Sequence, residues 1–362
     1  MHLDRTYELD VPAFQLPETR VYGHSTRMSD FDSPEIERIL KPAHDVPAHH
    51  VRIEVRSGES KTHVDQHPVP DGLVGRAKHE IKRQLHRRAA TVDMGNAFAL
   101  DMRFAYTGNF AHLVHDVIGP LRLIEQVLED DSSVERAPIH VVLPRKAPVL
   151  AKRVLETAGI PTVCTDGRVR GRRVSITQQL NLAHLPLLAR QPFERDPEPV
   201  PERLFVARRG ERVVLNEDEV TAFLAQEGYE RVYMEDYSIA RQWQMLAEAQ
   251  DVVGIHGAGL ASLGFSAHRP VGALPRFRLV ELFSPGFSSS CFRFYTAVLG
   301  GTWVGVRGKI TPEVVRDLDM LGHARAHDMA SFEVDLDALR EALDFSRDGA
   351  PRPDPFPMPS RG

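Results

Sequence analysis

The segment from residue 251 to 265, DVVGIHGAGLASLGF, combines residue types that could bind a phosphate group. Its pattern predicts an apolar strand, a glycine-rich turn and a helix, which brings unpaired backbone amides and the positive end of a helix dipole to one point. A histidine where the turn opens could also donate to a phosphate or leaving-group oxygen. The alternative is a turn that only connects strand and helix. The residues expected to bind are His256, Gly257, Ala258, Gly259 and Leu260.

An acidic residue follows this turn on the next predicted strand. Glu281 in RLVELF lies 22 residues after Gly259 and could accept hydrogen bonds from ribose hydroxyls. Turn and acid together indicate a nucleotide, but they also describe the dinucleotide-binding unit of NAD-dependent oxidoreductases. The spacing here is GxxGxG rather than GxGxxG, and the unit comes late in its domain rather than after the first strand. An oxidoreductase is therefore the less favoured interpretation.

A second group of reactive side chains lies in NFAHLVHDVIGPLRLIEQVLE, a predicted helix. His112 and Asp116 are four residues apart, so they share one helix face and can interact. A histidine paired with a carboxylate makes a tuned general base. The alternative is a helix N-terminus in which the acid favours the helix dipole and the histidine has a structural partner.

Alternating strands and helices must position these residues. After residue 203 the order is strand RLFVA, a helix capped by Asn216, strand RVYM, a helix capped by Ser238, then strands DVVGI and RLVELF. This alternation predicts an α/β fold with a parallel sheet and helices on both faces. The predicted parts are an N-terminal α/β domain over 1–190, a proline-rich linker over 191–203, a nucleotide-binding domain over 204–310, C-terminal helices over 311–347 and an extended tail over 348–362.

Composition excludes several classes of protein. The 362 residues include 42% hydrophobic and 26% charged residues, which is typical of folded proteins and enough for two domains. A net charge of -5 argues against a general nucleic-acid binder. Two cysteines, Cys164 and Cys291, encode neither a disulfide framework nor a multi-cysteine metal site. With no signal-peptide pattern and no long apolar run, we expect a cytoplasmic protein.

Three stretches taken together resemble glycosyltransferase family 61, which includes bacterial capsular-polysaccharide transferases. They are GNFAHLVHDVIGP over 108–120, LFVARRGERVVLNEDEV over 204–220, and DVVGIHGAGLASLGF followed by LVELFSP. The resemblance covers about residues 95–308. It implies a GT-B arrangement, in which two Rossmann-like domains face each other across a cleft and the C-terminal one holds the sugar nucleotide.

The resemblance also implies roles for particular residues. Arg208 and Arg209 match a basic pair expected to hold the donor diphosphate, and Asn216 and Glu217 match an Asn-Glu of the family. Arginine suits this task because its planar fork can bind two phosphate oxygens at once. The side chains paired on the predicted helix then become the candidates for the catalytic base, with His112 first and Asp116 second. The implied reaction moves a sugar from a UDP-linked donor to a glycan or lipid-linked saccharide, with inversion and without a metal.

Departures from the family pattern keep a second hypothesis open. Ala207, Leu113 and Ser262 stand where the family usually has a small hydroxyl residue, a tryptophan and an asparagine. A catalytically silent nucleotide-binding scaffold is therefore the alternative within the same fold. The DxD pairs that a metal-dependent transferase would use occur at 30/32, 317/319 and 335/337, and the last reads better as a helix cap. We predict no catalytic metal.

A basic run offers a further contact. The segment GRAKHEIKRQLHRRAA carries six basic residues against one acid, Glu80. An anionic membrane surface could bind there, which would place the protein peripherally at the inner face of a membrane. The common alternative is a solvated helix face.

Overall fold

A computed structural model describes residues 4–24, 35–66, 72–105, 107–176, 182–269, 277–286, 291–310 and 330–361. The first ten strands are β1 Arg5–Val11, β2 Phe14–Leu16, β3 Thr19–His24, β4 Ile36–Lys41, β5 His44–Val46, β6 His49–Glu59, β7 Val92–Asp101, β8 Ile139–Leu143, β9 Thr162–Cys164 and β10 Val169–Ile176. The remaining strands are β11 Arg203–Ala207, β12 Glu230–Tyr233, β13 Asp251–Ile255, β14 Arg278–Phe283, β15 Thr302–Arg307 and β16 Ser360–Arg361.

The α-helices are α1 Leu73–Arg88, α2 Phe110–His112, α3 Gly119–Glu129, α4 Val149–Thr157, α5 Glu217–Gln226, α6 Ile239–Glu248, α7 Cys291–Val298 and α8 Leu336–Asp344. Two π-helical segments, Leu113–Ile118 and Phe345–Gly349, continue α2 and α8. Short 3-10 helices cover Val64–Gln66, Leu185–Arg190, Met234–Asp236 and Ala258–His268.

The first compact unit comprises residues 1–12, 48–193 and 358–362. Its seven-stranded sheet has the order β16-β1-β6-β10-β7-β8-β9. The four strands from β10 to β9 run parallel, whereas β6, β1 and β16 add in antiparallel fashion. The carboxyl ends of β7 and β10 therefore meet at one edge, which is where α/β sheets usually bind ligands.

The second unit comprises residues 13–47 and 194–357. Its sheet has the order β12-β11-β13-β14-β15-β3-β4, parallel throughout except for β4 at one edge. β13 is buried along its whole length and β14 from Leu279 onward, and both carry the near-continuous apolar sequence expected of central parallel strands. The predicted α/β class with two sheet-containing units is confirmed and is consistent with a GT-B fold of two Rossmann-like domains.

The boundaries of the units differ from the predicted ones. Residues 13–47 were expected in the N-terminal domain but belong to the second unit, because β3 pairs in parallel with β15 and Val21 lies opposite Gly305. The chain also leaves the first unit between Phe193 and Glu194. Short apolar runs near the N-terminus do not encode which distant strand they will pair with, so composition could not show this exchange. Of the predicted C-terminal helices, α8 is described and residues 311–329 lie outside the described residues.

Three predicted helix caps can be compared with the structure. Ser238 caps α6 by accepting a hydrogen bond from the Arg241 amide at 3.2 Å, and Asp335 caps α8, as predicted. The prediction for Asn216 was wrong, because its side chain makes no cap on α5. It instead pairs with the backbone of Val334, accepting from the amide at 3.0 Å and donating to the carbonyl at 2.9 Å.

Candidate active site

The glycine turn lies at the carboxyl end of β13, in the second unit. It leads into the 3-10 helix Ala258–His268 rather than into an α-helix. The backbone of Gly257 is extended, so its conformation does not require glycine. A Cβ atom there would lie 2.4 Å from Nη1 of Arg208, so a larger residue would displace the end of that side chain. Gly254 is similar, since its Cβ would lie 2.5 Å from Cδ2 of Leu260. The glycines thus admit two neighbouring side chains to the turn.

Arg208 brings a positive charge to this turn. It follows β11, the strand next to β13, and its Nη1 donates to the carbonyl oxygen of His256 at 3.0 Å. Burial, followed by the charge of Arg212, lowers the pKa of Arg208, although an arginine remains protonated at neutral pH. No described carboxylate lies within ion-pair distance of its guanidinium. This charge is therefore available to an anion at the turn.

His256 is held by a buried carboxylate. Its Nδ1 contacts Oε1 of Glu281, and Nε1 of Trp303 donates to the other carboxylate oxygen at 2.6 Å. The sheet register produces this alignment, because Glu281 on β14 lies opposite Gly254 on β13. A proton on Nδ1 facing the carboxylate makes Nε2 the nitrogen that can accept or deliver a proton.

Glu281 therefore does not offer the accessible carboxylate that a ribose contact needs. Its side chain is 1% exposed, and both oxygens have protein partners. In place of the predicted ribose contact, we propose that Glu281 positions His256. Sequence reasoning missed Trp303, because a tryptophan in the apolar strand TWVGV carries no local sign that its ring nitrogen meets an acid on another strand.

The other predicted donor-binding residues of this unit are engaged elsewhere. Arg209 forms two hydrogen bonds with Asp236, at 2.6 and 2.8 Å, and lies over the ring of Tyr233. Glu217 accepts from the Tyr233 hydroxyl and from Arg231 at 3.1 Å. Asn216 contacts Val334 instead. Of the predicted donor-binding residues, the structure brings together at the turn Arg208, Glu281 and the loop residues His256, Gly257, Ala258, Gly259 and Leu260, the last with a buried side chain.

His112 and Asp116 lie in the first unit and form the predicted pair. The distance from Nδ1 of His112 to Oδ2 of Asp116 is 2.7 Å, and the two side chains are about half exposed, at 46% and 51%. Asn109 begins the helix by accepting from the amide of Ala111 at 2.8 Å. Between α2 and α3 the chain makes the π-helical segment Leu113–Ile118, a distortion that is frequent at functional sites and that the spacing did not predict.

A cavity of about 830 Å³ opens beside this pair. It lies at the carboxyl ends of β7 and β10, and Asp116 and His115 contribute to its wall. Apolar atoms form most of the cavity surface, with Leu100, Met102 and Phe104 among the side chains. Sequence reasoning missed this site, because the residues that form it come from segments more than 100 positions apart, from Ser60 to His184. The lining polar residues are Ser60, Lys61, Asp65, Asp101, His115, Asp116, Arg173, Ser175 and His184.

Two histidines form part of the cavity wall, His115 partly buried and His184 buried. Burial, with a smaller contribution from the charge of His112, lowers the pKa of His115 to about 4. Burial, with a smaller contribution from His115, lowers the pKa of His184 to about 3. Gly119 provides the room, because a Cβ atom there would lie 2.1 Å from Cδ2 of His184. Both imidazoles are thus neutral at physiological pH.

These shifts predict acid sensitivity. Both pKa values are lower in the folded state than the ordinary value of about 6.5, so the unfolded chain takes up protons first as the pH falls. The stability associated with the two neutral imidazoles is therefore complete above pH 6.5 and is lost as the pH falls towards 4 and 3. The shift of His115 alone corresponds to about 3 kcal/mol. Urea unfolding between pH 7 and 4.5 should show stability falling with pH, and His184→Met should reduce that slope. His44→Gln, at an exposed position, should leave the slope unchanged. An unchanged slope in His184→Met would contradict the lowered pKa of His184.

The described ranges hold no candidate metal site, because no three or more of their His, Cys, Asp or Glu side chains are grouped so that they could hold a metal ion. The same ranges contain no helix that is long and apolar enough to cross a membrane. Of the DxD pairs, 30/32 and 317/319 lie outside the described residues, and Asp335 is the cap already noted.

Comparison with known proteins shows a family match for one segment of the chain. No protein with curated annotation matches the chain significantly. Among solved structures the chain is similar to that titled bacterial iron-containing dodecameric glycosyltransferase TibC from enterotoxigenic E. coli H10407, with 11% identity over 77% of this chain and 78% of that one and a TM-score of 0.28. Residues 110–272 match the family Glycosyltransferase 61. The chain therefore contains a glycosyltransferase family 61 domain, and that segment includes His112, Asp116, Arg208 and the glycine turn.

Proposed function

We propose that the protein transfers a sugar from a UDP-linked donor to a glycan or lipid-linked saccharide acceptor, with inversion and without a catalytic metal. The observation that carries this proposal is the guanidinium of Arg208, which has no ion-pair partner among the described residues and packs on Gly257 beside His256, within the family segment. A guanidinium group, backbone amides and a histidine at the end of one strand can together stabilise the negative charge of a departing diphosphate.

On the donor side, Arg208 and the backbone of the turn would bind the diphosphate. The Glu281 carboxylate would keep His256 oriented with Nδ1 towards the protein interior. Nε2 of His256 could then donate to a phosphate oxygen as negative charge develops on the leaving group. This arrangement stabilises charge that is greater in the transition state than in the bound donor.

On the acceptor side, the His112 imidazole would remove the proton from the attacking hydroxyl. Asp116 contacts Nδ1 at 2.7 Å, so Nε2 is the nitrogen that would take that proton. The hydroxyl oxygen forms a bond to the anomeric carbon while the bond from that carbon to the phosphate oxygen breaks. The nucleoside diphosphate leaves with the bonding electrons, and the anomeric configuration inverts.

A binding panel and a turnover assay test this function. Calorimetry with UDP, CMP, GDP and NADH identifies the nucleotide, and donor hydrolysis or transfer establishes catalysis. Nucleotide-sugar binding without turnover would favour the silent scaffold, and binding of NADH alone would favour the oxidoreductase.

The chain departs from the family pattern at Ala207, Leu113 and Ser262. All three side chains are buried, so these departures alter packing and not a side chain exposed to a substrate.

We also propose that α1 binds an anionic membrane surface peripherally, at the cytoplasmic face. Val74, Ile81 and Leu85 are 69%, 61% and 60% exposed, and their spacing of seven and four residues puts them on one face of the helix. Lys78 and Lys82 border this apolar stripe, and the partly buried Arg83 pairs with Asp65 at 2.9 Å. The basic border disfavours a second copy of the chain and suits anionic lipid headgroups.

Vesicle sedimentation tests this contact. The wild-type protein should bind vesicles containing phosphatidylglycerol and should bind neutral phosphatidylcholine vesicles much more weakly. Replacing Val74, Ile81 and Leu85 with serine should lower partitioning about tenfold or more, because each buried apolar side chain contributes roughly 1.5 to 3 kcal/mol when fully inserted. Val149→Ser, which alters a 72% exposed valine on α4, is the matched control. Undiminished binding by the triple variant would refute the proposal.

A further inference from the structure

Around the cavity of the first unit, the described acidic side chains have ion-pair partners, whereas two basic side chains have none among the described residues. Its carboxylates each have a basic partner: Asp65 pairs with Arg83 at 2.9 Å, Asp101 with Arg103 at 2.6 Å, and Asp116 with His112 at 2.7 Å. Lys61 and Arg173 also line the cavity, and neither forms an ion pair with any residue in the described ranges. The two imidazoles on the wall, His115 and His184, add no positive charge at neutral pH.

The fold fixes the backbone that carries these two cations. Arg103 is completely buried, and its Nη2 donates to the carbonyl oxygen of Lys61 at 2.8 Å, which fixes the backbone that carries the lysine. Arg173 lies in β10, opposite Arg56 on β6 and Ala99 on β7. Its Nε atom is shielded from solvent and has no hydrogen-bond acceptor among the described residues. An anion bound in the cavity could supply that acceptor.

We propose that this cavity binds an acceptor that carries an anionic group, a phosphate or a carboxylate, through Lys61 and Arg173. The proposal rests on the transferase function and specifies the substrate class of its acceptor side. The apolar wall strengthens it, because attraction between charges grows where water is excluded. The same wall, with Leu100, Met102 and Phe104, would contact the less polar part of the acceptor.

Ligand-observed NMR titrations of the full chain test the inference with two matched pairs of probes. Methyl glucuronide against methyl glucoside reports a sugar carboxylate, and hexyl phosphate against hexanol reports a phosphate on an aliphatic chain. We expect one anionic probe to bind about tenfold or more tightly than its neutral partner, the range of a charge-assisted hydrogen bond. The pair that shows the preference identifies the source of the anion.

Variants test which side chains cause the preference for the anionic probe. Lys61→Met and Arg173→Met should each remove most of it, whereas Lys152→Met, which alters an exposed lysine on α4 outside the cavity, should leave it unchanged. Lys61 is exposed, so its variant should fold even if the Arg173 variant does not. Equal binding of charged and neutral probes, or a preference that survives in Lys61→Met, would overturn the inference.

A parallel UDP titration separates this inference from the proposed function. UDP binding and turnover without any anion preference would overturn only the assignment of Lys61 and Arg173. An intact anion preference in a chain that binds no nucleotide would support that cavity site and would overturn the transferase function.

Discussion

His112→Ala should reduce sugar transfer by about 10²- to 10⁴-fold, the usual cost of removing a general base. Donor affinity should be unchanged, because His112 belongs to the first unit and the Arg208 turn to the second. The half-exposed side chain makes a large loss of stability unexpected. Transfer rates with the true acceptor and a UDP titration on the same preparation provide both measurements.

The same experiment decides between the two members of the pair. If Asp116 is the base, Asp116→Asn should show the larger loss and His112→Ala the smaller. His50→Ala is a matched control, because His50 is also an exposed histidine that pairs with a carboxylate, Asp10, at 2.6 Å. Full turnover in both the His112 and Asp116 variants would exclude this helix from the mechanism, and loss of UDP binding in His112→Ala would place it in the donor site.

Arg208→Ala should weaken binding of a nucleoside diphosphate by roughly ten- to a hundredfold, since a lost charge-assisted hydrogen bond costs about 1.5 to 3 kcal/mol. Affinity for the nucleoside alone should change much less, because the guanidinium is expected to contact phosphate rather than base or ribose. Calorimetry with UDP and uridine measures this difference. Arg195→Ala, which removes an exposed arginine paired with Glu248, is the control in the same unit.

Gly257→Ala tests the same contact without removing the charge. The added Cβ would lie 2.4 Å from Nη1 of Arg208, so the end of that flexible side chain must move while the backbone need not. UDP affinity should therefore fall with little change in unfolding free energy. Arg209→Ala should have a smaller effect than Arg208→Ala, because Arg209 is bound to Asp236. Unchanged affinity in both the Arg208 and Gly257 variants would mean that the nucleotide binds elsewhere.

Local features of the site could be predicted from the sequence because they depend on neighbouring residues. The four-residue spacing of His112 and Asp116 placed them within reach on one helix, and they form a contact of 2.7 Å. The caps at Ser238 and Asp335 follow from the preference of short polar side chains for helix starts. The apolar strand DVVGI and the glycines after it similarly predicted a turn at the end of a buried strand.

Only the tertiary structure decided which of these residues meet. Sheet register placed Glu281 against His256 and Trp303 against Glu281. Strand order brought Arg208 onto Gly257, and parallel pairing with β15 took β3 into the second unit. The cavity with Lys61 and Arg173 likewise exists only where the ends of β7 and β10 meet. The physical reason is that apolar burial drives strands together with little directional preference, whereas partner and register depend on how all side chains pack at once.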